Sequence, residues 1–310
     1  MYVGFDIGGT MIKYGLVSET GEILEQAQLP TPSEKEAILV ALTEVVADYQ
    51  TKSTLKGIGI SAPGVIRRDG FMTTAGAIRS LYRINLKEEM MQRCQLPVFV
   101  ENDANAAAIA EKWLGNAQNY NDYICLVLGT GVGGGVVING QIYRGAHGMA
   151  GEFGFMLIDA LPATGNLEAA SVNWHGAVVG GLYPIYNRAL RRSNPQAETV
   201  KDARVILARA KAGERIAQEV LDRYYQDLAV TCLNLLTSFD PEAILIGGGI
   251  SANEDFMQGL LDKVAVVASQ HEAINYLQDK TMGIVQPAKL RNNAGLIGAV
   301  YQIHQEIQEK

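Results

Sequence analysis

Cysteine is scarce in this 310-residue sequence: the three cysteines, Cys94, Cys125 and Cys232, lie far apart and form no C-x-x-C pair. Neither a disulfide framework nor a thiolate zinc site is therefore predicted, and we expect the reducing cytoplasm as the compartment. The chain also lacks any apolar run of about 18 residues, so no membrane-spanning helix is predicted. Residues 1–6 lack the basic start of a secretory signal peptide, and a carboxylate interrupts their apolar run.

An excess of positive charge is missing as well. Lysine and arginine number 26 against 33 aspartates and glutamates, which gives a formal net charge of −7. A phosphate backbone or an anionic membrane surface would be repelled, so we expect neither nucleic acid nor a membrane as a partner. The 48% of hydrophobic and 19% of charged residues are typical of a globular protein. The length suggests two domains.

Segments with strand and helix periodicity alternate along the chain, as in α/β proteins. Strands are predicted at residues 2–6, 12–18, 23–29, 57–60, 97–103, 123–128, 135–138 and 243–246. Helices are predicted at residues 33–49, 104–113, 167–190 with breaks, 201–212, 214–239 and 294–308. Ser33 is the predicted N-cap of the first helix, with Glu36 as its capping-box partner. The order strand, hairpin, strand, helix begins near residue 2 and again near residue 123, which indicates two similar halves.

Two glycine-rich turns follow apolar strands. In Asp6-Ile7-Gly8-Gly9-Thr10, the glycine amides and the threonine hydroxyl can donate to a phosphate, and the aspartate can hold a water on Mg²⁺. A tight hairpin turn with a solvated aspartate explains the same residues. Residues 128–135 include five glycines in seven positions. Because each glycine costs about 0.5–1 kcal/mol in regular structure, phosphate binding is favoured there over a plain loop.

Two further motifs stand at the ends of predicted strands. In Glu101-Asn102-Asp103, the last carboxylate can act as a general base for an attacking hydroxyl, but it also suits the N-cap of the next helix. From these residues alone capping is the stronger interpretation. The glycines at 247–249 allow adenine or ribose to lie against the backbone, or they form a simple strand-to-helix turn. These two interpretations stay open.

The segment 145–154 surrounds Glu152 with small residues, and Glu168 follows further on. Such a loop is typical of a pocket, and two carboxylate acceptors suit a polyhydroxylated ligand. His147 in the same segment is interpreted as a structural hydrogen-bonding residue. Neither it nor His175 has the companions of a zinc site.

Taken in this order, the motifs resemble those of the ROK family (repressor, open reading frame, kinase), which has the actin-like ATPase, or ribonuclease H-like, fold of sugar kinases. The resemblance covers nearly the whole chain and is carried by residues 6–10, 62–65, 101–106, 129–135, 145–154, 240–242, 247–249 and 294–299. It implies an α/β protein with two domains around a cleft. The polar stretch 115–122 supplies the boundary, so residues 1–114 with 295–310 form the predicted amino-terminal domain and residues 115–294 the carboxy-terminal one.

The resemblance implies an ATP- and Mg²⁺-dependent sugar kinase in which Asp103 deprotonates the sugar 6-hydroxyl. The sugar-binding residues that it implies are Gly64, Asn102, Asp103, Glu152 and Glu168. The residues that it implies for ATP are Asp6, Gly8, Gly9, Thr10, Gly129, Thr130, Gly131, Gly133 and Gly248, with Asp6 holding Mg²⁺ through water. Such a set agrees with phosphoryl transfer, which depends on positioning and charge neutralisation. A homodimer is also implied.

Two departures from the family pattern bear on the substrate. Phe155 stands where the family usually has a zinc-binding histidine, and no cysteines lie between residues 157 and 168, so zinc is not expected. Ala77 stands where many members have a sugar-binding asparagine. Both substitutions remove polar contacts, and Phe155 offers an apolar platform for a second sugar or an aglycone. We therefore expect a β-glucoside such as cellobiose as the favoured substrate.

Several alternatives remain at this point. Glucose and N-acetylmannosamine are the other candidate acceptors of a kinase. A non-catalytic sugar-sensing regulator is the main alternative of another class, although retention of Asp103 and of both glycine-rich turns favours turnover. A DNA-binding repressor is disfavoured by the net charge and by the position of the first phosphate motif at Asp6. An actin-like chaperone or filament would not need Glu152 and Glu168.

Overall fold

The computed structural model describes residues 1–308. Its strands are β1 (Tyr2–Ile7), β2 (Met11–Val17), β3 (Ile23–Pro30), β4 (Gly57–Ala62), β5 (Phe71–Met72), β6 (Ile84–Asn85), β7 (Val98–Asn102), β8 (Tyr123–Leu128), β9 (Val132–Ile138), β10 (Gln141–Tyr143), β11 (Ala243–Gly247) and β12 (Ile284–Pro287). Its α-helices are α1 (Lys35–Lys52), α2 (Leu86–Cys94), α3 (Asp103–Leu114), α4 (Val172–Gly176), α5 (Tyr183–Ser193), α6 (Ala203–Lys211), α7 (Arg215–Phe239), α8 (Glu254–Ser269), α9 (Glu272–Leu277) and α10 (Ala294–Gln308). Within residues 1–308, no helix combines the length and the apolarity that a membrane span needs.

The chain divides into two compact units. Unit 1 comprises residues 1–119, 135–151 and those from 292 onward, and unit 2 comprises residues 120–134 and 152–291. The predicted domain boundaries lie a few residues from these divisions, but segment 135–151 was placed in the carboxy-terminal domain. In the structure this segment contacts α3 of unit 1 through β10.

The sheet of unit 1 has the order β3-β2-β1-β4-β7. Its strands β1, β4 and β7 are parallel, and β2 and β3 are antiparallel to their neighbours. Helix α1 covers it with Ile38, Leu42 and Val46, a helical spacing that presents one apolar face. The predicted strands and helices of this unit are found with shifts of a few residues at their ends.

Strands β8, β11 and β12 are parallel neighbours in a second sheet of order β10-β9-β8-β11-β12. The region 167–190, predicted as one interrupted helix, consists of a 3₁₀ turn, α4, a π-helical turn at residues 178–182 and α5. Helix α7 matches its prediction to within one residue, since its buried leucines recur at helical spacing.

The local predictions for the start of the first helix and for the second glycine-rich turn are wrong. Helix α1 begins at Lys35 after Glu34, which makes no side-chain cap, so Ser33 is not the N-cap. The second glycine loop is shorter than predicted, because β9 starts at Val132. Gly134 lies inside that strand, where a Cβ atom would come within 2.3 Å of the Phe153 ring. Close ring packing, and not a ligand, therefore accounts for glycine at position 134.

Candidate functional site

Polar side chains end the parallel strands of unit 1. The register places Asp6 of β1 beside Ser61 of β4, and Ala62 beside Asn102 of β7. The carboxyl ends of parallel strands meet at one edge of a sheet, which is where α/β proteins bind ligands. Ser61 Oγ donates to Asp6 Oδ1 over 3.1 Å, and Lys13 Nζ lies 3.7 Å from Asp6 Oδ2.

Burial raises the pKa of Asp6 above its ordinary value, and the ammonium of Lys13 opposes this rise. A buried carboxylate costs free energy unless a positive charge or hydrogen-bond donors compensate it. Lys13 and Ser61 supply that compensation in part. Asp6 is therefore a carboxylate whose charge a cation would stabilise.

The turn between β1 and β2 is hydrogen-bonded to Thr31, the residue that follows β3. Thr31 Oγ1 donates to the Gly8 carbonyl over 2.7 Å, and the Thr31 amide donates to the Thr10 carbonyl over 2.9 Å. Gly9 and Thr10 are exposed at its tip. Ala77 is also exposed and is the neighbour of Gly9: a Cβ on that glycine would lie 3.6 Å from the Ala77 methyl. Ala77 thus adjoins the turn that is predicted to bind phosphate.

The N-cap of α3 is Asn102, which overturns the interpretation of Asp103 as the cap. Asn102 Oδ1 accepts from the amides of Ala104 and Asn105 over 2.9 and 3.0 Å. Asp103 is the exposed first residue of the helix, and its Oδ1 accepts from the Ala104 amide over 2.8 Å. The helix N-terminus favours negative charge there. A carboxylate is thereby presented at the strand edge.

The same asparagine brings a second chain segment to this edge. Asn102 Nδ2 donates to the Gly64 carbonyl over 2.9 Å. Gly64 has a φ of +97°, and a Cβ there would lie 2.5 Å from the Thr74 carbonyl oxygen. Only glycine fits both constraints. Gly64, Asn102 and Asp103 therefore adjoin one another in unit 1, as the sequence predicts for the sugar side.

Sequence reasoning missed the role of Glu101. Its side chain is 2% exposed, and it forms an ion pair with Arg144, whose Nε donates over 3.1 Å. Glu101 Oε1 also accepts from the Asn105 side chain over 3.1 Å. A buried carboxylate needs such partners. Nothing in the local sequence links Arg144 to Glu101, because 43 residues separate them.

In unit 2, the turn after β8 is hydrogen-bonded to residues 178–180, which lie further along the chain. The amides of Val178 and Val179 donate to the Gly129 carbonyl over 3.0 and 3.1 Å, and the amide of Gly180 donates to the Thr130 carbonyl over 3.1 Å. These bonds fix the backbone of the turn at Gly129 and Thr130.

This turn forms one wall of a pocket of about 620 Å³, within the usual range for small-molecule sites. The lining residues are Leu128, Gly129, Thr130, Val178, Val179, Tyr183, Asp202, Ala203, Arg204, Leu207, Gly249, Ile250, Ala252 and Asn253. Two predicted positions, Gly129 and Thr130, are among them. Sequence reasoning missed Asp202 and Asn253, whose visible local role is to cap α6 and α8.

Of the other unit 2 glycines predicted for the nucleotide, Gly131 and Gly248 adjoin lining residues along the chain. Gly248 has a φ of +90°, and a Cβ there would lie 2.1 Å from the Leu128 carbonyl oxygen. It thereby allows β8 and the residues after β11 to approach each other at the pocket wall. A Cβ on Gly131 would lie 3.0 Å from Asn173 Oδ1, which accepts from the Val132 amide over 2.7 Å. Gly133 lies inside β9.

The two predicted sugar-binding glutamates lie on adjoining segments of unit 2. Residues Leu157 and Ser171 form an antiparallel bridge, which places the segment after Glu152 beside the turn that begins at Glu168. Burial raises the pKa of Glu152. Glu168 is exposed and accepts from the Asn166 side chain over 3.2 Å. Phe155 is 57% exposed, so its ring is accessible to a ligand.

Among the described residues, no group of three histidine, cysteine or carboxylate side chains could hold a metal ion. A Mg²⁺ ion keeps several waters and uses one or two carboxylates with substrate phosphates. Asp6 is a half-buried carboxylate beside a turn predicted to bind phosphate, so its donor set fits such an ion.

Comparison with known protein families agrees with the resemblance that the motifs indicate. The sequence profile of the ROK family matches residues 2–306. The chain belongs to the ROK family. The family predicted from the motifs is thereby confirmed, and with it the actin-like ATPase fold of the ROK kinases.

Individual ROK family members are similar over almost their full length. A beta-glucoside kinase of Listeria innocua is 36% identical, and the match covers 97% of each chain. A ROK family protein of Streptococcus pneumoniae, solved in complex with sucrose, has a TM-score of 0.85 at 29% identity and covers 100% of this chain and 99% of its own. A ROK family glucokinase of Streptomyces griseus, solved with glucose and AMPPNP, has a TM-score of 0.81 at 28% identity, with 98% and 99% covered. These relatives support sugar kinase activity in this chain.

Proposed function

We propose that this chain is an ATP-dependent sugar kinase that phosphorylates the 6-hydroxyl of a glucose-type sugar, with a β-glucoside such as cellobiose as its favoured substrate. The observation that carries the proposal is the end of β7, where Asn102 caps α3 and Asp103 presents its carboxylate beside Gly64.

Asp103 is the general base. It accepts the proton of the 6-hydroxyl as that oxygen attacks the γ-phosphorus of ATP, and the bond from the γ-phosphorus to the bridging oxygen of ADP breaks. Asn102 holds the sugar hydroxyls while its Oδ1 keeps the helix N-terminus in place. Glu101 and Arg144 fix this backbone through their buried ion pair. Positioning of this kind is a large part of the catalysis of phosphoryl transfer.

The nucleotide occupies the pocket of unit 2. Its wall at Gly129 and Thr130 offers backbone and hydroxyl groups to phosphates, and its wall at Gly249–Asn253 receives the adenosine. Unit 1 has a phosphate-binding turn of its own at Gly8–Thr10, next to Asp6, which would hold Mg²⁺ through water. When bound, the ion neutralises charge on the phosphates. The homodimer implied by the resemblance stays a prediction.

The preference for a β-glucoside rests on Phe155 and on the relatives. The accessible ring of Phe155 lies on the same segment as Glu152, where it can stack on a second sugar. The beta-glucoside kinase of Listeria innocua supports this preference. The glucokinase of Streptomyces griseus, solved with glucose, supports glucose as the second candidate acceptor.

A coupled assay of ADP release decides the acceptor. Cellobiose, methyl β-glucoside, methyl α-glucoside, glucose and N-acetylmannosamine are compared at equal concentration with Mg²⁺-ATP, beside a reaction without sugar. We expect the largest kcat/KM with cellobiose. A preference for a monosaccharide would overturn the β-glucoside assignment, and ADP release with none of these sugars would overturn the kinase proposal.

The position of the phosphate needs a separate measurement. Phosphorus NMR of the product should place the phosphate on the primary carbon of the non-reducing glucose. An analogue that lacks this 6-hydroxyl should bind without turnover. Phosphate at another carbon would contradict the assigned orientation of the sugar against Asp103.

A further inference from the structure

The loop that carries Glu168 extends away from its unit. Each residue from 159 to 169 is exposed. At its base, the amides of Ile158 and Asp159 donate to the Ala170 carbonyl over 2.9 and 3.3 Å. A loop so little buried would sample many conformations unless side chains restrain it.

A cluster of four charged or ionisable side chains, Asp159, His175, Arg223 and Asp227, joins this loop to α4 and α7. His175 Nδ1 lies 2.8 Å from Asp227 Oδ2, and its Nε2 lies 3.0 Å from the Ala169 carbonyl oxygen. Arg223 Nε donates to the Asp227 carboxylate over 3.0 Å, and its Nη2 donates to Asp159 Oδ2 over 3.3 Å. The cluster thus bonds to both ends of the loop.

The centre of the cluster is buried: His175 is 8% and Asp227 7% exposed. A carboxylate and a carbonyl both accept hydrogen bonds, so each ring nitrogen of His175 faces an acceptor. The Arg223 guanidinium pairs with both carboxylates of the cluster. Buried charges kept together in this way impose a specific geometry, because breaking one pair leaves the other charge unpaired.

We propose that this cluster is a positioning device for the substrate-binding loop. It holds Asp159 and Ala169 against α7 and thereby fixes Glu168, so that sugar affinity depends on four residues outside the predicted sugar contacts. This inference rests on the proposed function and on the sugar contact of Glu168 that the family resemblance implies.

The test compares two arginines on α7. Arg223→Gln removes the bonds to the loop and to Asp227, whereas Arg215→Gln removes an exposed pair with Glu219 four residues along the same helix. Hydrogen exchange of residues 158–171, the sugar dissociation constant by calorimetry, and KM for sugar and ATP are measured for both variants. For Arg223→Gln we expect faster exchange in this segment and a roughly threefold to tenfold weaker affinity for sugar. The KM for ATP and kcat should stay at the wild-type values.

Arg223→Lys supplies the rescue, because an ammonium can still reach one carboxylate. Its sugar affinity should fall between those of Arg223→Gln and the wild type, while Arg215→Gln should match the wild type. Unchanged exchange of residues 158–171 in Arg223→Gln would overturn the tether. Faster exchange with unchanged sugar affinity, or an equal loss in KM for ATP, would overturn the positioning role. Wild-type protein that binds no sugar would overturn the proposed function and with it the effect on affinity, whereas the exchange result would still decide the tether.

Discussion

The two five-stranded sheets share one strand order, but their strands end in different groups. In unit 1, β3-β2-β1-β4-β7 ends in charged and amide side chains at Asp6, Asn102 and Asp103. In the second sheet, β10-β9-β8-β11-β12, the corresponding strand ends at Gly129 and Gly248 present backbone. Side chains can take up a proton or orient a hydroxyl, whereas backbone amides can surround phosphates without bulk. In the proposed function, one strand order thus serves both the sugar side and the nucleotide side.

The most severe test of this comparison is Asp103→Asn. The amide keeps the size of the side chain but cannot take the proton of the 6-hydroxyl, so we expect kcat to fall by about 10²- to 10⁴-fold. The KM for ATP should change little. Asp48→Asn on α1, an exposed carboxylate paired only with Lys52 in the described structure, is the control. Full activity of Asp103→Asn would remove the general base from the mechanism.

Gly248→Ala tests the backbone side. Alanine would adopt a φ of +90° and place its Cβ 2.1 Å from the Leu128 carbonyl oxygen, whereas Gly213 has the same φ with no atom within 4 Å. Gly213→Ala should therefore lower the free energy of unfolding only by the cost of the positive φ, about 1–2 kcal/mol. Gly248→Ala should lower the free energy of unfolding by about 1–3 kcal/mol more, because its methyl group overpacks against Leu128. Urea unfolding measures both, and a rise in KM for ATP should accompany Gly248→Ala alone. Equal losses of unfolding free energy in the two variants would show that the backbone at Leu128 can shift to accommodate the added methyl group.

Two capping asparagines sharpen the comparison. Asn102 caps α3 in unit 1, and Asn253 caps α8 in unit 2 through the Phe256 amide. Replacement of either by alanine should cost about 1 kcal/mol of unfolding free energy. Steady-state kinetics should separate them: Asn102→Ala raises KM for sugar, and Asn253→Ala raises KM for ATP. Identical kinetic effects would contradict the division into acceptor and donor sides.

The smallest effect concerns the pH dependence of stability. Because burial raises the pKa of Glu152, the folded protein binds this proton more tightly than the unfolded chain does. The contribution of Glu152 to stability is therefore fully present below its ordinary pKa and is lost as the pH rises through the raised one. Glu152→Gln should raise the unfolding temperature above this window and match the wild type at acid pH. A difference that is the same at all pH values would rule out this titration as its cause.

Much of the fold could be predicted from the sequence, because strand and helix periods are local. The glycine turns at residues 6–10 and 128–131 and the long helix α7 are visible in this way. Helices α2, α8 and α9 were missed. Ser33 was wrongly assigned as a cap, because a capping box describes residues that can form a cap and not the backbone angles that they adopt.

The family, the fold and the residue types at the strand ends follow from the amino-acid sequence alone, since the order of the motifs and their periodicity are properties of the chain. The contacts that support these residues follow only from the folded structure. It made Asn102 the cap in place of Asp103, paired Glu101 with Arg144, and joined His175 to Asp227 across 52 residues. Such pairs depend on burial and on distance in space, and separation along the chain carries no information about either.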